Sequence, residues 1–140
     1  MKRSILTVEN NKGLRYLIST ILGMKHNVRS VQNSSEAMQL FSLGYEPSLA
    51  IVDISSIESE NFELLEHICT SSIFNNVPVI VLSANRNEEL KNICLEAGAT
   101  DFFTKPFDPV VLSERAAQVL SENAPDITPK KRKIFNLNMF

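Results

Sequence analysis

The chain lacks any long apolar run. None of its hydrophobic stretches approaches the roughly 18 residues that a membrane-spanning helix requires, so no membrane span is expected. Residues 1–10 show neither the apolar core nor the small-residue cleavage site of a secretory signal. Cysteine is scarce. Cys69 and Cys94 both fall inside apolar helical patterns, which favours buried free thiols over a disulfide or a zinc site. Neither sign of charge dominates. The 14 Lys and Arg against 16 Asp and Glu leave a formal net charge of -2, so nothing in the balance asks for nucleic acid. Neither a Walker motif nor G-x-G-x-x-G is present, which disfavours a nucleotide-binding enzyme. No internal repeat is visible. What remains is 140 residues, 44% hydrophobic and 21% charged, the ordinary balance of one soluble domain. A cytoplasmic location is expected.

Short apolar runs alternate with longer segments of helical period. Ser4 to Val8 reads as a buried strand that ends in Glu9-Asn10-Asn11. Leu14, Leu17, Ile18, Ile21 and Leu22 then give one apolar helix face, with Asn10 or Asn11 as its cap. Val28 to Val31 is a weak second strand. Ser34 or Ser35 opens a second helix through Ala37, Met38 and Phe41, and Gly44 is placed to end it. Leu49 to Asp53 is the clearest central strand, four apolar residues and then a carboxylate. Phe62, Leu65, Ile68 and Cys69 mark a third helix. Val77 to Leu82 is the fourth strand, with Pro78 near its start. Leu90, Ile93, Cys94 and Ala97 mark a fourth helix that Gly98 stops, and Thr100 to Thr104 is a short fifth strand. Asp108 caps a fifth helix with Pro109 in its first position. Val111, Leu112, Ala116, Val119 and Leu120 supply its apolar face.

Five strand–helix pairs predict an α/β domain with a parallel sheet covered on both faces. The leading topology is the flavodoxin-like three-layer (βα)5 arrangement, strand order 2-1-3-4-5. Ligands bind such sheets beyond the carboxyl ends of the strands. There the chain delivers Glu9 and Asn10, then Asp53, then Ser83 and Ala84, then Lys105 and Pro106. The carboxylates suit a divalent, oxygen-seeking cation. Lys105 and Ser83 are suited to hold the oxygens of a phosphoryl group on Asp53.

The segments I-L-T-V-E-N-N, L-A-I-V-D-I-S-S, F-E-L-L, V-P-V-I-V-L-S-A and G-A-T-D-F-F-T-K-P-F resemble, in order and spacing, the receiver domain of two-component response regulators. The resemblance runs from about Ser4 to about Leu120. It implies that Asp53 takes a phosphoryl group from a histidine kinase or phosphotransfer protein. It implies magnesium held by Glu9, Asn10, Asp53 and the backbone carbonyl of Ser55. It also implies a switching hydroxyl at Ser83, with Ala84 beside it, an aromatic switch at Phe102, and Lys105 paired with the acceptor and later with the phosphoryl group. The Lys105–Pro106 bond is expected to be cis. Output is expected on the face of the fourth helix, fifth strand and fifth helix, read by a downstream protein.

Three positions depart from the family pattern. Asn10 stands where a second carboxylate is usual, and the lost charge should weaken magnesium binding by roughly 1–3 kcal/mol, about 10–100-fold. Ile57 and Asn61 replace a proline and a glycine common in the loop after the acceptor, so that loop should differ in shape or mobility. These departures leave an alternative, a pseudo-receiver that binds partners with little phosphorylation. An aspartyl-phosphate hydrolase would want a second acid two residues after Asp53, and Ile54-Ser55 supplies none. His26 and His67 are isolated and are expected to be surface or hydrogen-bonded residues.

The domain is expected to span 1–123 and a basic, partly apolar tail or linker 124–140. The tail holds prolines, the cations of Lys130 to Lys133, and Phe135, Leu137 and Met139 alternating with asparagines. The basic run resembles a nuclear-localisation pattern, but a solvated tail is the better reading. The apolar stripe is open to pairing with a neighbouring chain, as in a homodimer, or to leading into an output domain. No nucleic-acid contact is expected of the domain itself.

Overall fold

The apolar runs become strands because both of their faces are covered. β1 (Ser4–Val8), β2 (Asn27–Val31), β3 (Leu49–Asp53), β4 (Val79–Ser83) and β5 (Asp101–Thr104) form one parallel sheet, ordered β2-β1-β3-β4-β5. This is the flavodoxin-like order that the alternation predicts. The computed structural model describes residues 2–74 and 76–122. Helices α1 (Lys12–Leu22), α2 (Ser34–Ser42), α3 (Glu60–Thr70), α4 (Glu88–Glu96) and α5 (Pro109–Glu122) alternate with the strands. A short 3-10 turn, Ser72–Phe74, follows α3.

Strand residues alternate between two apolar layers, as the period of two requires. Leu6, Val8, Ala50, Val52, Val79 and Val81 pack with Ala37 of α2, Phe62 and Leu65 of α3, and Leu90 and Cys94 of α4. Ile5, Leu49, Ile51, Ile80 and Leu82 face the other way, against Ile18 and Leu22 of α1 and Leu112, Ala116 and Val119 of α5. Each fully buried Leu or Ile contributes about 1.5–3 kcal/mol of transfer free energy. A central strand buried on both sides cannot slip by one residue without exchanging its layers. The strand ends, and the polar residues they carry, are therefore fixed in depth.

Local chemistry sets the helix boundaries. Asn11 caps α1, its Oδ1 accepting the Leu14 N–H at 2.8 Å. Asn33, rather than Ser34, caps α2, while Ser34 is the first helical residue. Asp108 caps α5 through the Val110 N–H at 2.9 Å. Gly44 and Gly98 end α2 and α4 with φ of 92° and 118°, the left-handed region that glycine enters without strain. At Gly98 a side chain is excluded twice over, because a Cβ would lie 2.8 Å from the Cys69 Sγ.

Three strands differ in their bounds from expectation: β2 begins at Asn27, one residue early, and β4 runs on through Ser83. β4 begins at Val79 instead of Val77. Pro78 has no N–H to give, and only its carbonyl joins the ladder, accepting from Ala50 N at 3.0 Å. β5 begins at Asp101, one residue late, although Thr100 N already bonds Val79 O at 2.7 Å. Both cysteines are free, but only Cys94 is buried. Burial pushes both thiols up to about 11, which keeps them unreactive at neutral pH. The expected tail lies outside the described residues.

Candidate functional site

Four strand ends meet at one edge of the sheet. Glu9 follows β1 and extends its ladder, its N–H donating to Val31 O at 3.0 Å. Its side chain is 2% exposed, so the charge needs partners. Oε2 accepts the Asn11 N–H at 3.0 Å, at the N-terminal end of α1 where the helix dipole favours an anion. Oε1 accepts from the Lys105 ammonium at 2.9 Å. The same Nζ lies 2.9 Å from Asp53 Oδ1. One cation thus joins two carboxylates delivered by β1 and β3. Burial alone would lower the pKa of that ammonium, but hydrogen bonds and charge from Glu9 and Asp53 outweigh it and hold the pKa above its ordinary value.

Lys105 is aimed by its own backbone, which donates to Ser83 O at 2.7 Å, and its bond to Pro106 is cis as expected. Ser83 ends β4 fully buried, and its Oγ accepts the Asn85 N–H at 3.0 Å. Ala84 follows it, exposed. Phe102 lies on β5 and is buried in the layer that contains Val81 and Leu90. Asp101 beside it pairs with Arg115 of α5 at 2.7 Å, tying β5 to that helix.

A sequence model of the response regulator receiver domain matches residues 5–117. The chain belongs to this family. Receivers are signalling modules rather than enzymes, and this one has the five-stranded parallel sheet with Lys105 paired to Asp53 at its carboxyl edge. The two-component response regulator ORR5 of Oryza sativa subsp. japonica is 34% identical over 119 residues, 83% of this chain and 87% of its own length. The transcriptional regulatory protein GltR of Pseudomonas aeruginosa is also 34% identical over 119 residues, but this chain covers only 49% of it. Among solved structures, a response regulator from Thermotoga maritima superposes with a TM-score of 0.75 at 26% identity, covering 86% of this receiver and 99% of that chain. The signal receiver domain of a signal transduction histidine kinase from Syntrophus aciditrophicus gives 0.77 at 27%, covering 92% and 98%.

The acidic side of this receiver is sparser. Asn10 is exposed, and its carbonyl accepts from the Arg15 guanidinium at 3.3 Å. Arg15 also holds the Glu9 carbonyl at 2.8 Å, fixing the backbone between β1 and α1. Ser55 is exposed, and its carbonyl accepts from Asn85 Nδ2 at 3.2 Å. Among the described residues, no three His, Cys, Asp or Glu gather as a metal site. Lys105 brings the Glu9 and Asp53 carboxylates together, and the adjoining loops carry the Asn10 amide and the Ser55 carbonyl, so all four groups would offer oxygen. That set fits magnesium in kind, with one negative charge fewer than two strand-end acids would give.

Sequence reasoning missed three polar ties and the burial of one histidine nitrogen. Arg15, Asn61 and Asn85 all bond backbone carbonyls around the site, at a strand end or in the loops that follow. Asn61 donates to the Asp53 carbonyl at 2.7 Å, so the residue in place of glycine fastens α3 to the strand end. Asn85, two residues after a strand-end serine, carries the turn signal that could have revealed it. His26, expected to be a surface or hydrogen-bonded residue, is half-buried, and its Nδ1 is buried with no hydrogen-bond partner among the described residues. Its pKa is lowered by burial first, then by Lys25 and Arg3. No helix among the described residues is long and apolar enough to cross a membrane.

Proposed function

We propose that Asp53 accepts a phosphoryl group from the phosphohistidine of a histidine kinase or phosphotransfer protein. The receiver then presents the change to a downstream protein on the face of α4, β5 and α5. One observation carries this reading: the Lys105 ammonium sits 2.9 Å from both Asp53 Oδ1 and Glu9 Oε1 at the sheet's carboxyl edge. In the transfer, an Asp53 oxygen forms a bond to phosphorus. The donor's P–N bond breaks and its electron pair returns to the imidazole. Lys105 follows the negative charge from the carboxylate to the phosphoryl oxygens. Magnesium, when bound by Glu9, Asn10, Asp53 and the Ser55 carbonyl, supplies further charge neutralisation. Ser83 can give up the Asn85 N–H and turn its hydroxyl to a phosphoryl oxygen. That contact exists only in the phosphorylated form, as a population shift requires. Phe102, packed in the layer beside it, relays the shift toward the surface.

A second reading rests on Asn10. With an exposed amide where an acid would add charge, the domain would bind partners as a pseudo-receiver and take up little phosphate. Intact mass after incubation with a small phosphodonor, with and without magnesium, separates the two. The first reading expects a single magnesium-dependent phosphoryl addition that Asp53→Asn abolishes. No addition at any magnesium concentration supports the second, and addition to the Asp53→Asn protein overturns the choice of acceptor.

A further inference from the structure

The loop between β4 and α4 is fastened to the loop after Asp53 by one side chain. Asn85 donates from Nδ2 to the Ser55 carbonyl at 3.2 Å. Its Oδ1 accepts the Asn87 N–H at 2.9 Å, and Asn87 in turn caps α4 through the Glu89 N–H at 2.7 Å. Its own N–H goes to Ser83 Oγ at 3.0 Å. Asn85 therefore touches the carbonyl assigned to the metal shell, the switching hydroxyl and the start of the α4 face.

We infer that Asn85 is a latch whose amide competes with a divalent cation for the Ser55 carbonyl, so that metal binding frees the β4–α4 loop. The inference rests on the metal set in the proposed function. The competition is electrostatic. The N–H hydrogens bring the positive end of the amide dipole to the oxygen that the cation would share. A cation at that oxygen repels them, and the amide at that oxygen weakens the cation's hold. Because the coupling is a free energy, it acts in both directions. Asn10 sharpens the effect, since a site with one acid fewer depends more on its neutral oxygens. Asn85 is thus a positioning residue, holding the α4 cap and Ser83 in the unmetallated arrangement. Release of the Nδ2 bond leaves the Asn85 N–H as the loop's remaining tie to Ser83, the bond that phosphorylation must also break.

The test is a magnesium chloride titration followed by amide chemical shifts, on the wild-type chain, Asn85→Ala and Asn10→Asp, without a phosphodonor. Losing one exposed hydrogen bond should tighten magnesium binding to Asn85→Ala by roughly 3- to 10-fold. In the wild type, magnesium should also move the Asn85 side-chain amide and the Asn87 and Glu89 N–H signals. Equal affinity in the wild type and Asn85→Ala, or binding that leaves the Asn85 side-chain signal in place, overturns the latch alone. Absence of saturable binding in all three proteins overturns the metal set and the latch together.

Discussion

On one side of Asp53 stand Ser83, fully buried at the end of β4, and Lys105, bonded to two carboxylates. On the other side stands Asn10, exposed, with its backbone carbonyl held by Arg15. In the proposed function the first side grips a phosphoryl group and the second a cation. They differ in how the fold holds them. Ser83 and Lys105 are set by the β4–β5 ladder, and moving either disturbs the sheet. Asn10 lies past the end of β1, where a substitution changes charge and little else. The comparison teaches that, in the proposed reading, Asn10 on the metal side rests in an exposed loop while the phosphoryl side rests on residues set by the sheet.

Stability should expose the difference most strongly. Lys105→Met leaves the Glu9 carboxylate, 2% exposed, without its cation. That should cost about 1–3 kcal/mol, below the range for fully buried pairs because Lys105 and Asp53 keep some solvent. Asn10→Ala should stay within about 0.5 kcal/mol, as for other surface changes. Urea unfolding of both proteins measures this. Equal losses would break the comparison.

Ser83→Ala should act next most strongly, and on signalling rather than chemistry. The protein should still gain a phosphoryl group on Asp53, while the chemical-shift response across α4, β5 and α5 should shrink by more than half, on the order of what losing the Ser83 bond to the phosphoryl group implies. An undiminished response would detach Ser83 from the phosphoryl half.

The smallest effect belongs to His26, at the opposite end of the sheet from the site. Its folded pKa is depressed, so the unfolded chain binds the proton more readily. Its contribution is fully present above the unfolded value near 6.5 and is lost as pH falls below it. His26→Gln should flatten the decline of melting temperature between neutral and mildly acidic pH. An unchanged slope would assign that decline to other groups.

The strand ends were legible because central parallel strands run apolar until they meet the edge. Leu49 to Asp53 shows this most plainly, and the order of the sheet followed from the alternation. Boundaries were less legible where two residues could serve alike. Asn33 and Ser34 are both good caps, and Pro78 reads as strand by hydropathy while lacking the donor a ladder needs. The ties made by Arg15, Asn61 and Asn85 left no periodic trace, because each reaches a backbone carbonyl at a strand end or in a loop. The buried, unpartnered Nδ1 of His26 was missed for the same reason: one residue in a turn has no pattern to reveal it.

The central claim is that the phosphoryl half is intact and only the metal half is weakened. It is tested most directly by the rate of Asp53 phosphorylation against magnesium concentration in the wild type and Asn10→Asp. The account predicts two curves whose midpoints differ about 10-fold or more and whose plateaus coincide at saturating magnesium. Coincident midpoints, or a wild-type plateau that stays far below that of Asn10→Asp, would contradict it.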